Sequence, residues 1–333
     1  MSGNTVQKEV RCWKEILSPY ERPVLFKSLV QFLLTAVLFT STWILALVSL
    51  EYSYWITLLL ALPVAGFYVR LFIIQHDCGH GSFFKSQRAN NLLGSFLGVL
   101  TLTPYTYWRK THAVHHATTG NLDRRNEFGD INTLTVQEYS KLPPVKRFAY
   151  RLYRNPIILF GVGSGYQFIL KHRFPFDLPR SWKREWASVI LTNLGILAVL
   201  VLMWQTIGLQ RFLLVQLPVT LLGGAIGTWF FYVHHQFEDA YWARQDNWDF
   251  HAAAIRGSSY YDLPKFLNWI SGSIGVHHVH HLSSAIPNYQ LLRCHRENPE
   301  LQQMPRLTLW ESLKCARLKL WDEEKHKLVG FQN

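Results

Sequence analysis

Four segments of the chain are long, apolar and almost free of charge. Residues 28–50, 187–207 and 212–233 contain no Asp, Glu, Lys or Arg, and residues 52–74 contain only Arg70. Each segment is close to the ~20 residues that a helix needs to cross the ~30 Å hydrocarbon core of a bilayer. One such segment is compatible with a buried helix of a soluble protein, but four in a chain of 333 residues predict an integral membrane protein.

The four segments form two pairs with short connections. The first pair is joined by little more than Glu51, and the second by Gly208 to Arg211. Such connections suit antiparallel helices, so the predicted fold class is all-α, with four transmembrane helices in two hairpins. Residues 75–186 and 234–333 are expected to form a helical cytoplasmic cap, and residues 1–333 a single domain.

The distribution of basic residues predicts the orientation of these helices. Outside the four segments and their connections, the chain holds 32 of its 34 Lys and Arg residues. The positive-inside rule therefore places both termini and the cap in the cytoplasm, at the inner membrane. The same rule, with attraction to anionic lipids, accounts for the net charge of +12. Nucleic-acid binding would need a basic module that the sequence lacks, and the polar residues 1–27 predict no signal peptide.

Most of the 15 histidines are concentrated in four short groups. The groups contain His76 and His80; His112, His115 and His116; His234 and His235; and His277, His278, His280 and His281. All four are predicted to lie in the cap or at its membrane edge. The four cysteines, in contrast, are scattered and form neither a CxxC pair nor an iron–sulfur run.

The spacing of these histidines suits metal binding. Residues at i and i+4, or at i, i+3 and i+4, share a helix face, so the members of three groups are expected to point together. Imidazole is the commonest metal ligand in proteins. Eight converging nitrogens exceed the needs of one zinc ion and are enough for two metals with open positions. Nitrogen ligation without thiolate suits iron, although affinity alone does not select the metal.

The position of the groups indicates a site just above the membrane surface. His76 and His80 begin where the second apolar segment ends, and His235 lies where the fourth ends. A lipid tail can react there only in a dry tunnel, whose walls we expect from the span ends and from the short apolar stretches 92–107 and 156–170. Metal-bound histidines usually donate their second nitrogen to an acceptor, and the candidate carboxylates are Asp77, Asp123, Asp130, Glu238 and Asp239.

Around the histidines the sequence resembles the membrane fatty acid desaturases, in particular their bacterial acyl-lipid branch with Δ5 and Δ12 enzymes. The resemblance extends over about residues 22–325. It is carried by HDCGHGSFF at 76–84, HAVHHATTGNLD at 112–123, FYVHHQFED at 231–239 and GVHHVHHLSSAIPNY at 275–289.

This resemblance implies two iron ions held by nine histidines on four spanning helices and a cytoplasmic cap. The implied ligands are His76, His80, His112, His115, His116, His235, His277, His280 and His281. His234 precedes His235 where relatives often have Gln, which leaves open which of the two faces the metal. His278 lies between the positions of the ligand face and is not expected to bind.

The reaction of the family removes hydrogen from two adjacent methylenes, with O2 as oxidant, and leaves a cis double bond. The implied partners are an acyl-lipid substrate, the bilayer and an external electron donor such as ferredoxin or flavodoxin, because the sequence has no GxGxxG unit of its own.

Two alternatives remain open from the sequence. One is a related di-iron hydroxylase, epoxygenase or carotenoid oxygenase. The other is a membrane metal sensor or transporter, for which ionisable residues are expected inside the spans. Arg70 is the only such residue there.

Overall fold

The computed structural model describes residues 13–125, 127, 128 and 130–331, and these are mostly helical. Residues 13–17 are helical, and 3₁₀ turns cover Ser18–Tyr20, Gln245–Asn247 and Pro299–Gln302. The longer elements are α1 (Leu25–Ser49), α2 (Tyr54–His80), α3 (Gln87–Leu100), α4 (Tyr105–Thr118), α5 (Val136–Ser140), α6 (Pro144–Tyr153), α7 (Ile157–Lys171), α8 (Lys183–Thr206), α9 (Leu209–His235), α10 (Phe250–Arg256), α11 (Lys265–Ile270), α12 (His277–Leu282), α13 (Asn288–Glu297) and α14 (Leu309–Cys315).

Two small strand pairs lie in the cap. Strand β1 (Tyr260–Asp262) pairs in parallel with β2 (Arg306–Thr308), and β3 (Leu320–Asp322) pairs antiparallel with β4 (Lys327–Val329). Each strand is three residues long, so neither pair forms a core sheet; β1 and β2 join distant parts of the cap, whereas β3 and β4 form a local hairpin.

The four predicted spans are confirmed as helices long and apolar enough to cross a membrane. They are α1, α2, α8 and α9, with 25, 27, 24 and 27 residues. At 1.5 Å per residue, the two helices of 27 residues measure about 40 Å, which exceeds the hydrocarbon thickness. Large apolar side chains such as Leu191 and Leu202 are exposed on their outer surfaces, as lipid contact requires.

The two hairpins turn at the same end of the molecule. Ser53 caps the N-terminus of α2 by accepting a hydrogen bond from the backbone N–H of Trp55, and the left-handed Gly208 reverses the chain before α9. An ion pair of 2.5 Å between Arg211 and Glu51 joins the two turns. The C-terminal ends of α2 and α9, which carry two of the histidine groups, therefore lie together at the opposite end.

Helix α2 is the most enclosed of the four spans. It packs against α1 on one side and α9 on another. Gly223 of α9 permits this approach, because a Cβ atom at that position would lie 2.6 Å from the ring of Tyr68. The helix that carries the first histidine group is thus held between two others.

The two shorter apolar stretches are helical and cover the bundle near the histidines. Residues 92–107 include the end of α3 and the start of α4, joined at the positive-φ residue Leu102. Residues 156–170 form most of α7, which contains wide π-helical turns and lies along α9, with Phe160 against Tyr232. Their expected role as walls of a dry tunnel stays a prediction.

Candidate metal centre

The structure brings all nine candidate histidines into two adjacent groups of ring nitrogens. In each group the nitrogens lie within 4.8 Å of one another. The first group contains His76, His80, His112, His116 and His280, and the second contains His115, His235, His277 and His281.

The histidines of two sequence motifs are divided between the first and the second group. Helix α4 sends His112 and His116 to the first group and His115 to the second, whereas α12 sends His280 to the first and His277 and His281 to the second. Residues four apart lie about 40° from one another around a helix, but consecutive residues lie about 100° apart. The i, i+4 pairs therefore stay together and the remaining member points elsewhere. The expectation of one shared face for each motif was too simple.

The first group brings together ring nitrogens from three helices, and the close contacts lie within α4 and between α4 and α12. His116 Nε2 lies 3.2 Å from His112 Nε2 and 3.0 Å from His280 Nε2. His80 Nε2 is buried and has no hydrogen-bond partner among the described residues. His76 is oriented by the neighbouring carboxylate, because its Nδ1 lies 3.2 Å from Asp77 Oδ1.

The second group is arranged in the same way. His277 Nε2 lies 3.0 Å from His235 Nε2 and 3.1 Å from His281 Nε2. His235 Nδ1 lies 3.1 Å from the carbonyl oxygen of Gly257, which points its Nε2 at the group. His115 Nδ1 contacts a carboxylate from the loop after α4, Asp130, at 2.6 Å.

The structure also places the two histidines whose roles the sequence left open or set aside. His234 is not in either group and stacks on the ring of His277, with the centroids 4.0 Å apart. His278 points away, and its Nε2 lies 3.0 Å from the carbonyl oxygen of Leu301. Of the adjacent pair at the end of α9, His235 is therefore the one directed at other candidate ligands.

Only two of the five candidate carboxylates contact a histidine of these groups. They are Asp77 and Asp130. Asp123 pairs with Arg244 and Glu238 pairs with Lys327 on the surface of the cap, and no contact between Asp239 and a histidine is present in the described part of the chain.

Burial keeps five of the candidate histidines in the cap neutral. Burial, followed by the proximity of other histidines, holds the pKa of His112, His116, His277, His280 and His281 well below the usual range. A neutral imidazole has a free lone pair on one nitrogen, and this is the form that binds a metal.

The donor set fits a metal of higher coordination number than structural zinc. Two nitrogens about 2.1 Å from one ion lie about 3.0 Å apart at a right angle and about 3.4 Å apart at the tetrahedral angle. Three of the four contacts between neighbouring Nε2 atoms, at 3.0–3.1 Å, are closer to the right-angle value, and the fourth, at 3.2 Å, lies midway between the two values. Together with the unpartnered His80 Nε2, this supports two cation positions. That the nine histidines bind metal stays a prediction.

Sequence reasoning missed two residues that shape the first group. The ring of Trp108 stacks on His112 at 4.5 Å and lies 5.6 Å from the ring of His76. Gly79 makes room for it, because a Cβ atom there would lie 2.8 Å from the indole. The sequence signal that could have identified Trp108 was its position one helical turn before His112 on α4.

Comparisons with known proteins agree on one family. The family model for fatty acid desaturases matches residues 53–312. A protein named fatty acid desaturase from Bacillus subtilis is 44% identical over 332 residues, which is 100% of this chain and 94% of the relative.

Two cyanobacterial relatives are more distant. The sn-1 acyl-lipid omega-3 desaturase (ferredoxin) of Synechocystis is 31% identical over 67% of this chain and 62% of the relative. The sn-1 oleoyl-lipid 12-desaturase of Picosynechococcus is 27% identical over 78% and 75%. The residues matched by the family model include all nine histidines of the two groups, and on this match the chain belongs to the fatty acid desaturase family.

Proposed function

We propose that the chain is an acyl-lipid desaturase that holds two iron ions, one in each histidine group. The observation that carries the proposal is the pair of adjacent clusters of five and four imidazoles at the ends of two spanning helices. Family membership supports iron over other metals that accept nitrogen ligands.

In this proposal the chain itself supplies position, orientation and protection from water. Bound iron would supply the redox chemistry with O2. Asp77 and Asp130 accept the second N–H of His76 and His115, so that the Nε2 lone pairs point at the metal positions. Helices α3, α4 and α7 cover the bundle beside the groups, and a small, mostly apolar cavity borders His235.

The proposed reaction takes one hydrogen from each of two adjacent methylenes and leaves a cis double bond. With O2 as oxidant, two electrons from a donor and two protons from solvent complete the balance, and two waters are released. An acyl-lipid substrate is supported by the names of the cyanobacterial relatives. A soluble carrier such as ferredoxin or flavodoxin is the proposed donor, and one relative has ferredoxin in its name.

We further propose that the site faces the cytoplasm from the inner membrane. The basic residues lie almost entirely outside the spans and their turns, which is typical of the cytoplasmic side. Both histidine groups lie at the end opposite the two hairpin turns. An acyl chain drawn from the bilayer would reach them along the ends of α2 and α9.

Lipid analysis in a bacterial host without a desaturase tests the activity. Expression should produce cis-unsaturated acyl lipids, and His280→Ala should abolish them without loss of membrane insertion. His278→Gln is the matched control on the same helix, because Gln can keep the hydrogen bond to Leu301, and it should retain activity. Hydroxylated or epoxidised lipids without new alkenes would refute desaturation. Elemental analysis of active enzyme should give two irons per chain, and one iron per chain would refute the paired site.

A further inference from the structure

Helix α12, which contributes histidines to both groups, is too short to be stable without contacts to the rest of the protein. Helix α12 has six residues, and its N-cap, Val276, makes no side-chain capping hydrogen bond. Isolated helices need about 12–15 residues to be even marginally stable in water. The position of His277, His280 and His281 must therefore be set by contacts of the segments before and after α12.

The segment before α12 is fastened to α2 by a buried cation. Arg70 is 6% exposed and lies about 9 Å from His76 along the helix. Its Nη1 donates to the carbonyl oxygen of Trp269 in the last turn of α11, and its guanidinium lies 4.4 Å from the centroid of the Trp269 ring. A cation suits this place because the last carbonyls of a helix carry partial negative charge.

The turn that follows reinforces this contact. Gly272 has a φ of +59°, and a Cβ atom there would lie 2.8 Å from the side chain of Ile73 on α2. The chain thus rests directly on α2 between Trp269 and His277.

The segment after α12 is fastened to the same helix by a buried anion. Asp77 Oδ2 accepts hydrogen bonds from the backbone N–H and the side-chain amide of Asn288, at 2.7 and 2.8 Å. Asn288 begins α13 and is 1% exposed. Arg70 and Asp77 are seven residues apart, two turns on one face of α2.

Helix α1 completes both contacts. Thr35 Oγ1 accepts from Arg70 Nε at 3.1 Å, and Gln31 Nε2 donates to Asn288 Oδ1 at 2.7 Å. Thr35 and Gln31 are one turn apart and are themselves joined, since the Thr35 hydroxyl donates to the Gln31 carbonyl. No carboxylate contacts Arg70 within the described ranges of the chain, so its partners are the segment before α12 and α1.

We propose that Arg70 is a positioning residue, which together with Asp77 holds α12 in register against α2. In this arrangement the ring of His280 lies 4.5 Å from that of His76 and 4.9 Å from that of His80, between centroids. Release of either flank lets α12 move and separates the nitrogens that α2, α4 and α12 contribute. The inference rests on the proposed metal function for its importance, but the contacts themselves are independent of any ion.

The test compares Arg70→Met and Arg70→Lys with Arg211→Met, an exposed arginine at the hairpin turn that serves as the matched control. Two readouts are taken on detergent-purified, metal-free protein: hydrogen exchange of the peptide that covers residues 265–283, and titration with Co²⁺. A third is the melting temperature of the same metal-free samples.

Arg70→Met should speed exchange in residues 265–283 and weaken Co²⁺ binding at least tenfold. Its metal-free melting temperature should change little, because the loss of the hydrogen bonds to Thr35 and Trp269 is offset by the removal of a desolvated charge. Arg70→Lys should recover part of the Co²⁺ affinity, and Arg211→Met should behave as wild type.

Unchanged exchange in Arg70→Met would overturn the positioning role. A loss of Co²⁺ affinity that is accompanied by a lower melting temperature would also overturn the positioning role, because a general structural contact gives that result. Wild-type Co²⁺ affinity in Arg70→Met would also overturn it, and Arg70 would be assigned to lipid binding if anionic lipid raised the melting temperature of the wild type but not that of Arg70→Met. Failure of the wild-type protein to bind Co²⁺ would refute the proposed metal function instead, and hydrogen exchange would still decide the positioning role.

Discussion

Asp130 Oδ1 lies 2.6 Å from His115 Nδ1, and this contact joins the loop after α4 to the second histidine group. A carboxylate in this position fixes the ring orientation and strengthens the opposite nitrogen as a ligand. Through this contact, a loop residue orients a histidine in a site whose candidate ligands all lie on helices.

Asp130→Asn should therefore weaken metal binding at the second group by about 10- to 100-fold, the usual effect of losing such an acceptor. The measurement is a metal titration of purified protein followed by elemental analysis. Asp123→Asn is the control, because Asp123 is exposed and pairs with Arg244. Equal affinities of the two variants would contradict the role given to Asp130.

The adjacent residues His234 and His235 should differ in their effect on metal content. His235→Ala removes a nitrogen that lies 3.0 Å from His277 Nε2, so we expect the metal of the second group to be lost. His234→Gln keeps a side chain of similar size beside His277 and should retain the metal. The iron-to-protein ratio measures both, and retention of two irons by His235→Ala would remove it from the ligand set.

Gly79→Ala should disturb the first histidine group, because Gly79 lies between His76 and His80 in the same motif. The added methyl group lies 2.8 Å from the ring of Trp108, which stacks on His112. Such overpacking costs about 1–3 kcal/mol and displaces the neighbouring side chains, so desaturation should fall. Gly227→Ala on α9 is the control, since a Cβ atom there has nothing within 4 Å. Both are compared by product yield per amount of inserted protein, and full activity of Gly79→Ala would show that Trp108 can move freely.

Lys319 should make the stability of the cap depend on alkaline pH. Burial, and then the nearby Arg154, lowers the pKa of this lysine to about 8, while its ammonium donates to the Arg154 carbonyl at 2.6 Å. Between pH 8 and the ordinary lysine pKa of about 10.4 the unfolded chain binds more protons than the folded one, so the free energy of unfolding rises with pH in that window.

Lys319→Met removes this dependence, and comparison of melting temperatures at pH 7.5 and 9.5 detects it. Wild type should gain stability relative to Lys319→Met as the pH rises. A constant difference between the two proteins would mean that Lys319 titrates normally.

The spans and the histidine motifs were the parts that local sequence patterns could predict. Apolar segments with no charge, or with Arg70 alone, predict the spans of α1, α2, α8 and α9, because the bilayer core disfavours charged side chains. Helical spacing grouped the histidines correctly in pairs such as His76 and His80. The same spacing could also have predicted that His115 points away from His112 and His116, because consecutive residues on a helix diverge by about 100°.

Contacts between distant segments could not be predicted in this way. Asp130 was one of five acidic candidates, and only the path of the loop after α4 brings it to His115. The contact of Arg70 with Trp269 depends on where the segment before α12 rests against α2. Nothing in the residues near Arg70 encodes a partner almost 200 positions away, so its role emerged only from the three-dimensional arrangement.

The division of α12 between both histidine groups has a consequence for biosynthesis. Chains emerge from their N-terminal end, so α2 and α9 are inserted in the membrane and α4 is already made before α12 is synthesised. At that stage the first group lacks His280 and the second has only His115 and His235. The nascent protein therefore holds two incomplete sets of histidines, and under the proposed function metal loading becomes a late maturation step that follows release of His277, His280 and His281 from the ribosome.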